Sequence, residues 1–218
     1  MEIILNETEI RIVGCLLEKE MTTPEYYPLS LNALTNACNQ KSNRDPVVSY
    51  DETTVANGLE SLREKGLARE SQSASTRVSK YVHTILDLFD LSRQEIALFC
   101  ELMLRGPQTL GELRSRAGRM STLENLGEVQ NTMQGLIGHD PPLAVKLPRE
   151  AGRKERRYAH LLSGDIDMVT ATHDSSVKPA ATRSQVDERI IKLEEEVAKL
   201  RREFEELKRA FDEFRSQF

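Results

Sequence analysis

The side chains best suited to chemistry are basic and amide groups between residues 114 and 157. Arg114, Arg116 and Arg119 step along one short predicted helix, and Arg149, Arg153, Lys154, Arg156 and Arg157 crowd a predicted hairpin. Between them, a third predicted helix offers Gln130, Asn131 and Gln134 on its exposed side. Guanidinium and ammonium groups contact phosphate and supply most of the affinity for nucleic acid, while amides can bond bidentately to adenine edges. These residues together predict contact with double-stranded DNA, and Glu128 on the same helix opposes it. Lys41 and Arg44, in an earlier turn, complete the candidate set. The competing reading is a solvated basic face.

Catalysis and metal binding find less support. The four histidines (His83, His139, His160, His173) and three cysteines (Cys15, Cys38, Cys100) include no pair with zinc-ligand spacing. An odd, widely spaced cysteine set without CxxC pairs predicts reduced thiols and no disulfide framework. A nucleophilic Cys38 needs a base close by, and the expected fold brings no histidine near it. No phosphate loop or dinucleotide fingerprint occurs. The expectation is a non-enzymatic protein without metal or cofactor.

The elements that must position the basic and amide groups are read from a duplication. Leu5-Asn6-Glu7-Thr8-Glu9-Ile10 is answered 86 residues later by Leu91-Ser92-Arg93-Gln94-Glu95-Ile96. Three further echoes follow in order: Ser30–Leu34 with Thr109–Leu113, Val55–Leu59 with Val129–Met133, and Lys80–His83 with Arg157–His160. Matches in the same order, at offsets between 74 and 86 residues, describe a repeated unit of about 80 residues. Each copy opens with a helix (about 6–20 and 92–105) carrying apolar residues at helical spacing. Asn6 and Ser92 are N-caps with a glutamate three residues on, a capping-box pattern. Second helices follow at about 30–39 and 109–119, and third helices at about 51–65 and 122–137. Each copy ends in two short extended runs, 67–70 with 78–83 and 143–148 with 156–161. Three helices and a β-hairpin predict a winged helix, in which the third helix reads the major groove. Tyr81 and His83 recur as Tyr158 and His160, which predicts a shared packing or hydrogen-bonding role.

The fold class expected is mainly α with small β-hairpins (α+β). It comprises a winged helix over residues 1–88, a second over 89–164, a flexible linker over 165–184 and a coiled-coil helix over 185–218. Residues 165–184 show no apolar period. In the tail, Ile190, Leu193, Val197, Leu200, Phe204, Leu207, Phe211 and Phe214 alternate steps of three and four, a heptad seam. In a parallel pair Arg189–Glu194, Glu196–Arg201 and Glu203–Lys208 oppose unlike charges across the seam. A homodimer through this tail is expected; the competing reading is a helix folded back on the rest of the chain.

Charge separates the copies. Residues 1–90 carry 9 basic and 14 acidic side chains, residues 91–165 carry 11 and 9, and residues 166–218 carry 10 and 12. The third helix of the first copy displays Asp51, Glu52, Glu60 and Glu64 against Arg63 and Lys65, a face that repels phosphate. That copy reads as a protein-binding or structural unit. No apolar run approaches the roughly 18 residues that a membrane span needs. No secretion signal is visible, so cytoplasm is the expected compartment.

Thr22-Thr23-Pro24-Glu25-Tyr26-Tyr27-Pro28 and its continuation through Asn39-Gln40-Lys41-Ser42-Asn43-Arg44-Asp45-Pro46-Val47 resemble the signature of the YceH family. Glu18-Lys19, Leu104–Thr109, Gly111–Ala117 and Arg157-Tyr158 with His160-Leu161 extend the likeness to about residues 5–165. The resemblance implies two tandem winged helices and supplies no activity. The expected function is DNA binding through the second winged helix, in transcriptional regulation. The alternative is a protein–protein adaptor that uses the acidic first copy and the coiled coil.

Overall fold

The computed structural model describes residues 3–71, 78–150, 152–164 and the single residue Lys208. The C-terminal heptad seam therefore lies outside the described residues. Helix α1 (Glu7–Thr22) starts at Asn6, whose side chain accepts from Glu9 N (3.0 Å) while the Glu9 carboxylate accepts from Asn6 N (2.8 Å). The same reciprocal cap, Ser92 with Glu95, starts α4 (Arg93–Arg105). A third capping box, Thr109 with Glu112, starts α5 (Leu110–Ala117). Each satisfies N–H groups that the first helical turn leaves without partners.

In the first copy a two-residue strand β1 (Leu29–Ser30) leads into α2 (Leu31–Cys38), then α3 (Glu52–Glu64) and the hairpin β2 (Ala68–Ser71) and β3 (Lys80–His83). The sheet order is β1-β3-β2, antiparallel throughout, with Leu29 opposite Tyr81 and Ala68 opposite His83. In the second copy α4 and α5 are followed by α6 (Leu126–Gly138) and the hairpin β4 (Ala144–Lys146) and β5 (Tyr158–His160). The counterpart of β1 there is a lone bridge between Gln108 and Tyr158. The duplication thus extends to a strand contact that the expected elements omitted. Helix α6 begins four residues later than expected, because Leu123 is buried in the preceding loop and Asn125 caps the helix by accepting from Glu128 N.

The described residues form an α+β fold with six α-helices and small antiparallel sheets. Positions Glu9–Glu18 of α1 and Ala97–Leu104 of α4 are buried without interruption. A helix buried on every side sits inside a core, not on its edge. The two pack on each other at Gly14, whose carbonyl oxygen accepts from the Cys100 thiol (3.3 Å). A β-carbon at Gly14 would lie 2.9 Å from Leu104 Cδ2 and 3.1 Å from Leu104 Cγ, so a larger residue there would have to displace the Leu104 side chain. Positions 14 and 100 are equivalent in the repeat, so corresponding points of the two first helices meet here. The expected boundary at residues 88 and 89 falls just before α4, and buried apolar side chains run across it in one cluster. The described residues from 3 to 164 belong to one compact unit. No helix among the described residues is long and apolar enough to cross a membrane.

Candidate nucleic-acid interface

Helix α6 buries Val129, Met133 and Leu136 and turns the opposite side outward. Leu126, Gln130, Asn131 and Gln134 are all exposed there, Leu126 by 48%. Glu128, its one charged residue, is half-buried and tied back: it accepts from Gln94 Nε2 and from Glu124 N (2.7 Å). The opposition expected from this carboxylate is thus directed into the start of the helix. The outward face is neutral and rich in amides.

Beside it, residues 146–157 of the β4–β5 hairpin hold six basic and two acidic side chains. Arg149, Lys154 and Arg156 are exposed and form no ion pair with any described residue. Arg153 is exposed and pairs with Glu150 (3.0 Å). Arg157 is half-buried and donates to the Pro107 carbonyl (3.4 Å), a largely structural placement. Lys146 Nζ sits 5.8 Å from the centre of the buried Tyr158 ring, within cation–π range. Between α6, the start of α5 and the hairpin lies a cleft of about 290 Å³, with Leu110, Leu126 and Tyr158 as apolar walls and Gln130, Lys146 and Arg156 at its margins.

The remaining basic candidates divide. Lys41 is exposed in the loop after α2. Arg114 is exposed and anchored by one bond to the Glu124 carbonyl (2.7 Å). Arg116 is half-buried between Gln108 Oε1 (2.8 Å) and Glu112 (3.4 Å). Arg119 bridges Glu18 and Glu101, the latter at 2.6 Å. Arg44 is fully buried and forks onto Glu18 (2.9 and 2.5 Å) with further bonds to the Ala37 carbonyl. Arg44 cannot meet a phosphate, and Arg119 already has two carboxylate partners. Their loss from the interface has one cause. The turn after each second helix folds inward over α1 and α4.

That inward fold creates a feature absent from the sequence expectations, a buried network of Glu18, Glu101, Arg44, Arg105 and Arg119 where the two copies meet. Burial alone would push the Glu18 carboxyl up, but the bonds and charge of Arg44, with Arg119 and Lys19, outweigh it and hold the group below the ordinary carboxylate value. A partial signal was available. Glu18 and Arg44 both lie among the motifs that carry the family resemblance. Asn39 ties the same turn to the approach to α3, donating to the Tyr50 carbonyl and accepting from Tyr50 N (both 2.7 Å).

The repeated histidines have different surroundings. His83 Nε2 lies 2.6 Å from Glu20, whereas among the described residues His160 meets no carboxylate and its buried Nδ1 has no partner. The position equivalent to Glu20 is Gly106, the cap of α4 at φ 69°. Burial lowers His160 to a pKa of about 4, so it is neutral near pH 7. Cys38 is buried, and the adjacent Cys15 thiol and burial push its pKa up, opposite to what a nucleophile needs. Among the described residues no group of three His, Cys, Asp or Glu side chains is placed to hold a metal ion.

Comparison with known proteins places this arrangement in a family. The profile of DUF480, described as proteins of unknown function, matches residues 5–153. A UPF0502 protein of Pelobacter propionicus is 53% identical over 220 residues, and one of Geotalea uraniireducens is 52% identical over 221, each match covering all of both chains. A UPF0502 protein of Koribacter versatilis is 56% identical over 168 residues, covering 77% of this chain and 78% of its own.

Proposed function

The chain belongs to the DUF480 family, and from that footing we propose that it is a non-enzymatic protein that binds double-stranded DNA through its second repeat, most simply as a cytoplasmic transcriptional regulator. Each repeat is read here as a winged helix: α4, α5 and α6 with the β4–β5 wing form one, and α1, α2 and α3 with the β2–β3 wing form the other. The observation that carries the reading is the pairing of an amide-faced third helix with a wing holding a net charge of +4 over residues 146–157. In this geometry the third helix enters the major groove and the wing lies along the phosphate backbone. Homodimerisation through residues 185–218 accompanies the proposal. Two copies of the module on one duplex would multiply a modest single-module affinity.

The test is titration of a labelled duplex of mixed sequence across a salt series. Binding should be clear at about 50 mM salt and weaken steeply as salt rises, because each neutralised phosphate contributes about −0.9 to the slope of log K against log salt. Arg149→Ala, Lys154→Ala and Arg156→Ala combined should flatten that slope by about 2 to 3. A duplex left unshifted even at about 50 mM salt ends the DNA reading. One observation favours a second reading: α3 exposes Glu52, Glu60 and Glu64 at the place where α6 is neutral. That acidic face suits a protein partner, and an adaptor role is what a failed titration would leave.

A further inference from the structure

We propose that α6 makes this protein prefer A·T-rich duplex, with Leu126 against thymine methyl groups and Gln130, Asn131 and Gln134 against adenine edges. The inference rests on the DNA-binding reading above and concerns which base pairs that same face selects.

Positions 126, 130 and 134 are spaced four apart and form one exposed stripe, with Asn131 beside it. At about 1.5 Å rise per residue the stripe is roughly 12 Å long, three to four base-pair steps of about 3.4 Å. Its chemistry is selective by what it contains. Amides match the adjacent acceptor and donor of adenine, and an apolar side chain matches the methyl that only thymine presents in the major groove. It is equally selective by what it lacks. Guanine is read chiefly by arginine or lysine, and α6 contains neither. Arg114, the exposed arginine on α5, is anchored through Nη2 to the Glu124 carbonyl. Cytosine is read by a carboxylate that accepts from its amino group. Both oxygens of Glu128 already accept, one from Gln94 and the other from Glu124 N.

The wing points the same way. The exposed Arg149, Lys154 and Arg156 have no ion-pair partner among the described residues. A·T tracts narrow the minor groove and deepen its negative potential, which draws such side chains in. The cleft beside Leu126, with Lys146 and Arg156 at its margins, offers a course for the sugar–phosphate strand between helix and wing.

The experiment is selection by the full-length chain from a randomised 20-base-pair duplex library at about 50 mM salt, followed by sequencing of the bound pool. The expected result is strong A·T enrichment over the input. In a selected site, replacing thymine by uracil removes one methyl per position and should weaken binding about fourfold per methyl contacted. Leu126→Ala should abolish that sensitivity while leaving the salt dependence intact. Gln130→Ala should reduce discrimination at one base pair by roughly five- to a hundredfold. A bound pool with the composition of the input, or one enriched in G·C, overturns the readout while DNA binding stands. An empty bound pool removes both.

Discussion

Glu18 shows how far a residue's role can depart from its type. A glutamate on an amphipathic helix ordinarily marks the solvated face, yet Glu18 is buried and holds guanidinium groups from both copies, Arg44 from the first and Arg119 from the second. A buried carboxylate is tolerated only when paired and hydrogen-bonded, and removing one side of such a pair costs about 3–5 kcal/mol. Glu18→Gln should therefore lower the stability of the fold by an amount in that range at pH 7, a large share of the roughly 5–15 kcal/mol that holds a domain together. The pH dependence identifies the cause. The folded state holds the Glu18 carboxyl below its ordinary value, so its contribution is complete above about pH 4.3 and is lost as pH falls below that. Urea unfolding of the parent and the glutamine variant should give a gap that narrows as pH falls below about 4. A gap independent of pH would assign the loss to packing instead of charge.

At the scale of elements, much was legible because local chemistry and tertiary packing agree. Asn6 with Glu9 and Ser92 with Glu95 announce the starts of α1 and α4, and the apolar periods of α3 and α6 mark the faces they bury. What was illegible has tertiary causes. Strand β1 is two residues long and exists only because Leu29 and Ser30 pair with β3, so no local pattern signals it. The burial of α1 on all sides was hidden by Glu9, Arg11 and Glu18, which read as solvent-facing and are in fact paired inside. Of the residues proposed for the interface, Gln130, Asn131 and Gln134 on α6 and Arg149, Lys154 and Arg156 on the β4–β5 hairpin are exposed, as their polarity suggests. That expectation failed at Arg44 and Arg119, whose charges serve the interior. The C-terminal seam rests on spacing alone. If Ile190, Leu193, Val197 and Leu200 zip two chains together, sedimentation should give a dimer for the full-length chain and a monomer for residues 1–184. The same monomer mass for both would remove the dimer.

For the whole molecule, duplication and independence are separate properties. Tandem copies joined end to end would each bury their own core and unfold separately, as separate domains do. Here α1 and α4 are each enclosed on all sides, and they touch at Gly14, Cys100, Met103 and Leu104. Cutting between residues 88 and 89 would strip one side of each helix, exposing large apolar side chains at about 1.5–3 kcal/mol apiece and leaving Glu18 without Arg119. Losses on that scale exceed what a fragment of about 80 residues can spare. Residues 1–164 should therefore melt in one calorimetric transition whose van't Hoff and calorimetric enthalpies agree, and fragments 1–88 and 89–164 should each lack a cooperative transition when made alone. Mixing the fragments should restore it, since each supplies the face the other lacks. Two resolved transitions in the intact unit, or a fragment that melts cooperatively by itself, would show that the copies fold apart and that the contact between α1 and α4 is an interface between finished domains.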